Sequence, residues 1–274
     1  MTAEPVDPRT RQRAQAVGRA AFARAGARTE PSRLFETGGL RWRFPRSTAP
    51  CEAVIVNTGG GVAAGDSYEI TLTLEDGAAV EATTAAAEKI YRSDGPSARI
   101  ATALTLGPGA RLAWLPQETI LFDRARLDRT LTIDMAADAN LVAVETLVFG
   151  RLAMGETRIE ASLRDSWRLT RAGRLVFADA TRLDHAGASL DRTACGSGAR
   201  AVAILLAAAP DIEARLPELR AALETREPDV EAGASAFDGL IVCRLISASP
   251  SRLRVTAIAA IVALSGRQPP RLWR

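Results

Sequence analysis

One small-residue turn, written five times, sets what this chain can fold into. Leu34-x-x-Thr37-Gly38-x-Leu40 returns as Leu74-x-x-Gly77-Ala78-x-Val80, as Leu106-x-x-Gly109-Ala110-x-Leu112, as Met135-x-x-Asp138-Ala139-x-Leu141 and as Leu169-x-x-Ala172-Gly173-x-Leu175. Each copy follows an alternating segment such as Arg99-Ile100-Ala101-Thr102-Ala103-Leu104 and precedes another apolar one such as Leu141-Val142-Ala143-Val144-Glu145-Thr146-Leu147-Val148. Alternation on both sides of a small-residue turn is a hairpin signal. Copies at a period of roughly 30 residues imply strand pairs that stack and bury one another's faces. The expected class is mainly β with a few helices (α+β): stacked β-strand pairs resembling a flattened β-helix over residues 31–195. An ordinary sandwich is the alternative, because any β protein turns at such intervals.

The two ends of the chain read differently. Residues 1–30 are expected to be a loosely ordered tail, with a short Ala-rich helix over Gln12 to Ala25. From residue 196 to 274 helices join closing strands, within a single domain that starts at residue 31. Ala199 to Ala208 is apolar and Ala-rich, which predicts a buried helix. Ile212, Leu216, Leu219 and Leu223 then fall at helical spacing, and Ala234 to Ile246 returns to β. Ser249-Pro250 supplies an N-cap and a first-turn proline, and Gly266 a stop, for a last helix over Leu253 to Leu264. The tail should run extended, with Trp273 docked on something.

Charge and cysteine content narrow the function classes. The net charge is +3 and the arginines are scattered among 32 acids, so no basic stripe argues for nucleic acid. No apolar run reaches the roughly 18 residues of a membrane span. The stretch from Met1 to Arg13 has no apolar signal core, so the expected compartment is the cytoplasm. Cys51, Cys195 and Cys243 are far apart and form no CxxC pair, which fits reduced thiols. With His185 as the sole histidine, neither a Ser–His–Asp arrangement nor a high-affinity transition-metal site is credible. Any metal handled here would meet carboxylates, or meet ligands only in passing.

Several stretches carry candidate chemistry. Asn57-Thr58-Gly59-Gly60-Gly61-Val62-Ala63-Ala64-Gly65-Asp66 resembles a phosphate cradle, but no Lys follows and the next residues alternate as a strand, whereas phosphate loops open a helix. A glycine turn carrying one functional carboxylate, Asp66, is the better reading. Glu118 and Asp123 flank Ile120-Leu121-Phe122 after Leu115-Pro116-Gln117; they are either exposed turn acids or a pair for acid–base work or cation binding. Glu145 interrupts an apolar strand. A lone buried carboxylate is costly unless paired or hydrated, so Glu145 either meets Arg151 or Arg158 or lines a polar channel. Glu156, beyond Gly150 and Gly155, belongs to the same question. Lys89 is the only lysine in the chain.

Four of these stretches, in order, resemble the urease accessory protein UreD (UreH) family: Asn57-Thr58-Gly59-Gly60-Gly61-Val62-x-x-Gly65-Asp66; Thr83-Thr84-x-x-x-Glu88-Lys89-Ile90-Tyr91-Arg92-Ser93; Trp114-Leu115-Pro116-Gln117-Glu118-Thr119-Ile120-Leu121-Phe122; and Glu145-Thr146-Leu147-Val148-Phe149-Gly150-Arg151-x-x-Met154-Gly155-Glu156. The match extends from about Gly38 to Pro270-Arg271-Leu272-Trp273. It departs at Ala64, where the family usually has a glycine. The resemblance implies a maturation factor and not an enzyme, with no tightly bound cofactor and nickel only in transit. It implies UreF-like and UreG-like partners and apo-urease, no nucleic acid and no membrane, and a transient nickel path that Asp66, Glu118, Glu145 and Glu156 would line. On apolar content alone, the C-terminal helices and the tail with Trp273 are the expected surface for the UreF-like partner. Gly60, Gly61, Gly65, Lys89, Pro116, Gln117, Gly150 and Gly155 would be the motif's structural residues. The competing readings are a stacked-β polysaccharide-acting enzyme with a carboxylate pair, and a nucleotide-binding protein using the glycine loop.

Overall fold

In the computed structural model, which describes residues 13–45, 50–156 and 159–273, the repeat becomes a flattened coil of strands. The chain runs through β1 (Gln15–Ala25), β2 (Arg28–Thr37), β3 (Leu40–Arg43), β4 (Cys51–Asn57), β5 (Ser67–Leu74), β6 (Ala79–Thr84), β7 (Glu88–Ile90), β8 (Ala98–Leu106) and β9 (Arg111–Leu115). It continues through β10 (Thr119–Leu121), β11 (Arg126–Met135), β12 (Asn140–Phe149), β13 (Ser162–Arg171) and β14 (Arg174–Leu183). Helix α1 (Ala186–Asp191), β15 (Ala201–Ala208), helix α2 (Leu216–Glu224), β16 (Val230–Phe237), β17 (Leu240–Ser247) and helix α3 (Pro250–Ser265) complete it. One sheet has the order β14-β13-β11-β8-β5-β1-β2; the other runs β16-β17-β15-β12-β9-β6-β4-β3, with β10 beside β12 and β7 beside β10.

Four of the five repeated turns carry the chain from the first sheet to the second, and the fifth closes the antiparallel pair β13–β14. Strands joined by those four turns therefore face each other across the core instead of pairing as hairpins. Hydrogen bonds run between successive coils, as in the parallel run β5–β8–β11–β13. In-register parallel pairing places equivalent residues in rows across the sheet: Leu72 beside Leu104, Leu104 beside Ile133, Ile133 beside Leu169. All four are essentially buried. Facing strands of the second sheet contribute Leu112, Trp114 and Leu141 to the same core.

The second sheet has a second buried face. Val144, Leu205 and Ile241 pack there with Leu253, Ala257 and Ile261 of α3 and with Trp273. This explains two departures from expectation. Ala201–Ala208 is a strand, not a helix: β15 sits between β12 and β17 with both faces covered, so it reads as an unbroken apolar run. Gln15–Ala25 is likewise strand and not helix, held on one side by β2 and on the other by β5, so the expected loose tail does not extend over this segment; residues 1–12 lie outside the described residues. Helix α1 was not anticipated. The α3 signals hold: the Ser249 hydroxyl accepts from the Arg252 amide and Gly266 takes a left-handed φ of 69° at the C-cap. The tail is a short 3-10 turn, Arg271–Trp273, instead of an extended run.

Leu104→Ala removes a fully buried side chain from the middle of a four-residue row and should cost about 2–5 kcal/mol. The control Leu175→Ala, half exposed on β14, should stay within about 0.5 kcal/mol. Urea denaturation of the two variants checks the contrast.

Candidate functional site

A cavity of about 200 Å³ lies between the two sheets. Strand registers explain why it is there. Ala82, Trp114 and Ala143 form one row of the second sheet, and Glu88, Thr119 and Leu147 form the next complete one. Between those rows the chain spends the steps from 82 to 88, from 114 to 119 and from 143 to 147. Only the last is regular strand. Ala85–Ala87 and Pro116–Glu118 bulge out of the sheet, and Pro116 could not donate to a ladder in any case. The row that should flank Glu145 is therefore missing on one side, and the gap is the cavity.

Its lining runs from exposed Gly60, Ala85, Ala86 and Lys89 at the rim to buried Trp114, Arg129 and Glu145 at depth. Near the rim, Asn57 Nδ2 donates to both Glu88 oxygens at 3.1 Å and to Gly61 O at 3.2 Å. Burial raises the Glu88 carboxyl above its ordinary range, against the lowering effect of the Asn57 bond. At depth, Arg129 forms a two-pronged pair with Asp165: Nε donates to Oδ1 at 3.0 Å and Nη2 to Oδ2 at 2.7 Å. The same Nη2 stands 3.0 Å from Glu145 Oε2, and Trp114 Nε1 donates weakly to Glu145 Oε1 at 3.4 Å. All three charged side chains are less than a tenth exposed. Glu145 Oε2 receives no aligned hydrogen bond among the described residues. Burial raises the Glu145 pKa to about 7, outweighing the attraction of Arg129.

The partner of Glu145 is thus Arg129, and Arg151 pairs with Glu156 instead; Arg158 lies outside the described residues. Arg129 and Asp165 were not singled out from the sequence, although the signal was present. In Leu127-x-Arg129-x-Leu131-x-Ile133-x-Met135 and in Leu163-x-Asp165-x-Trp167-x-Leu169, each charge occupies the inward phase of an alternating strand. They lie 36 residues apart, about one coil, and pair side by side between β11 and β13.

The other anticipated residues are placed as follows. Asp66 accepts the Ala14 amide on one oxygen and the Ala63 amide on the other, both at 2.8 Å, and so closes the glycine turn. That turn leads into strand β5 and not into a helix. Gly60 has a φ of 73°, and a Cβ on Gly61 would meet the Tyr91 ring at 2.5 Å. Gly65 lies in the same turn, beside Asp66. Glu118 pairs with Arg254 at 2.5 Å, at the end of β10 away from Asp123, which accepts the Glu160 amide at 2.9 Å. The structure therefore commits these two acids to separate partners. Glu156 accepts from the Arg151 side chain and from its amide at 2.9 Å, and the Arg151 contact holds its carboxyl below the usual range. This loop contains Gly150 and Gly155. Lys89 and Pro116 line the cavity, and Gln117 does so while its Nε2 donates to Leu272 O at 3.0 Å. Trp273 docks on its own chain, donating from Nε1 to Leu115 O at 2.7 Å. His185 is exposed and meets Glu160. Among the described residues no group of three His, Cys, Asp or Glu side chains is placed to hold a metal ion, and no helix is long and apolar enough to cross a membrane.

Glu145 carries a pH signature. Its folded pKa is raised from 4.5, so the stability contributed by its neutral form is full below pH 4.5 and is lost as pH rises through about 7. Asp165 still holds Arg129 when Glu145 is neutralised. Glu145→Gln should therefore gain stability relative to the wild type between pH 5 and pH 8, by up to about 3 kcal/mol; thermal unfolding at the two pH values measures it.

Comparison with known proteins gives one consistent result. The profile of the family described as "UreD urease accessory protein" matches residues 14–274. "Urease accessory protein UreD" of Methylobacterium sp. (strain 4-46) is 52% identical over 255 residues, covering 91% of this chain and 90% of that one. "Urease accessory protein UreD 2" of Methylorubrum populi is 49% identical over 97% of this chain and 92% of its own. The UreD of Beijerinckia indica subsp. indica is 48% identical, with coverage of 91% and 93%.

Proposed function

This chain belongs to the UreD family of urease accessory proteins, and from that premise we propose that it acts in the cytoplasm as a non-enzymatic scaffold, joining apo-urease to UreF-like and UreG-like partners while nickel reaches urease through the cavity between its sheets. The observation that carries the cavity's part in this is Glu145 Oε2, buried 3.0 Å from the Arg129 charge with no aligned hydrogen bond among the described residues, in a gap lined by Glu88 and by exposed residues at its rim. Carboxylate oxygens without imidazole or thiolate are weak ligands for nickel. Weak ligands suit a passage, because a tight site would keep the ion.

Four acids were expected along such a path, and their partners now divide them. Glu145 faces the cavity, its Oε2 paired with the Arg129 charge but accepting no aligned hydrogen bond among the described residues. Glu88, not among the four, faces it near the rim. Asp66, Glu118 and Glu156 are engaged by backbone amides or arginines, and we assign them to the frame that shapes the passage. Asp66 fixes the glycine turn, Glu118 ties the Pro116–Glu118 bulge to α3, and Glu156 closes the loop after β12.

Urease activation in cells lacking this chain, complemented by variants, tests the reading. The double variant Glu88→Gln/Glu145→Gln should lower activation at least tenfold while still co-purifying with the UreF-like partner and urease. Full activation by that variant would remove the cavity route and leave the scaffold; loss of co-purification by the wild type would remove the scaffold.

A further inference from the structure

The cavity's buried wall carries a cation, which is unexpected for a passage that conducts one. Arg129 is 6% exposed, and both prongs of its contact with Asp165 are occupied at 3.0 and 2.7 Å. Its Nη1 lies 3.4 Å from Thr119 Oγ1. These contacts fix the guanidinium in one place. From there its Nη2 approaches Glu145 Oε2 at 3.0 Å without the alignment of a hydrogen bond. Glu145 is thus faced by a fixed positive charge, while among the described residues that oxygen accepts no aligned hydrogen bond.

Resting on the conduit reading, we propose that Arg129 is a positioning residue that sets how strongly the passage holds its cargo: its charge keeps Glu145 and Asp165 from acting together as a two-carboxylate site for a divalent cation. The arithmetic of charge supports this. With Arg129 present, the ionised triad sums to −1, enough to draw in a cation but already largely compensated. Without it, two carboxylates on facing sheets would share one buried space at −2, and a divalent ion is the group that best relieves such repulsion. Asp165 does more than anchor the arginine. Both its oxygens are taken, so it cannot reach the ion while Arg129 stays. A purely structural ion pair would need only Arg129 and Asp165. The third contact, to a carboxylate that lines the cavity, is what a role in holding power explains.

The test uses the purified full chain and nickel(II) alone, with binding read by equilibrium dialysis and folding by circular dichroism. Arg129→Gln should bind nickel at least tenfold more tightly than the wild type, and Arg129→Lys, which keeps the charge, should stay within about threefold of it. Adding Glu145→Gln to Arg129→Gln should abolish the gain. A folded Arg129→Gln that binds no more tightly than the wild type overturns the proposal. If Arg129→Gln does not fold, Asp165→Asn decides: it leaves the positive charge with one acid fewer and should bind nickel at least threefold more weakly, and unchanged binding overturns the proposal. The two readings fail separately. Tight binding by Arg129→Gln, with normal urease activation by Glu145→Gln, would sink the conduit and spare the role of Arg129. Loss of activation in Glu145→Gln, with no gain in Arg129→Gln, would do the reverse.

Discussion

Rows of matched side chains hold this coil together, and a row tolerates little variation. Parallel strands in register place residue types side by side at the strand spacing, so one large or polar member is felt by its neighbours on both sides. The row Leu72, Leu104, Ile133, Leu169 satisfies that demand with aliphatic groups of similar volume. The row Tyr68, Ile100, Arg129, Asp165 does not. Two ionised side chains in a core position are costly unless paired, and even a paired buried salt bridge is often no more stabilising than an apolar substitute. Stability alone therefore gives no reason for Arg129 and Asp165 to be there. Arg129 lines the cavity and meets Glu145 there, so the pair with Asp165 holds a charge at the cavity wall, a place that an apolar substitute would not fill.

How much of this could be read from the sequence depended on how many faces of each segment are buried. Strands with one face in the core, such as Arg126–Met135, show strict alternation and were legible. Ala201–Ala208, covered by the inter-sheet core on one side and by α3 on the other, loses its period. Alanine's helix propensity then pointed the wrong way until its neighbours β12 and β17 were known. Helix α3 was legible to the residue at its N-terminus because caps are local chemistry. The site divides along the same line. Glu145 was visible as a break in an apolar run, but its partner was sought a few residues away, when it lies across the core on the preceding strand of the coil. Proximity in a stacked fold follows the period and not the sequence number. Arg129 and Asp165 become visible only when the inward phase of two strands one period apart is compared.

The gap beside Glu145 must also be kept from closing, and the C-terminal tail supplies the means. A bulge lacks ladder partners, so its backbone and side chains need other ones. Leu115 at the last strand position gives its carbonyl to Trp273 Nε1, Gln117 reaches the Leu272 carbonyl, and Glu118 is held by Arg254, which also stacks on the Trp273 ring at 4.7 Å and donates to its carbonyl at 2.9 Å. The two ends of this arrangement are some 155 residues apart in the chain. The last helix and the tail thus take the place of the strand that Pro116–Glu118 does not form. A buried tryptophan is an effective brace here: its rings fill the second core while its one donor satisfies a carbonyl at the edge of the bulge. The C-terminal segment, anticipated as a surface for partners, also packs against the bulge beside the cavity.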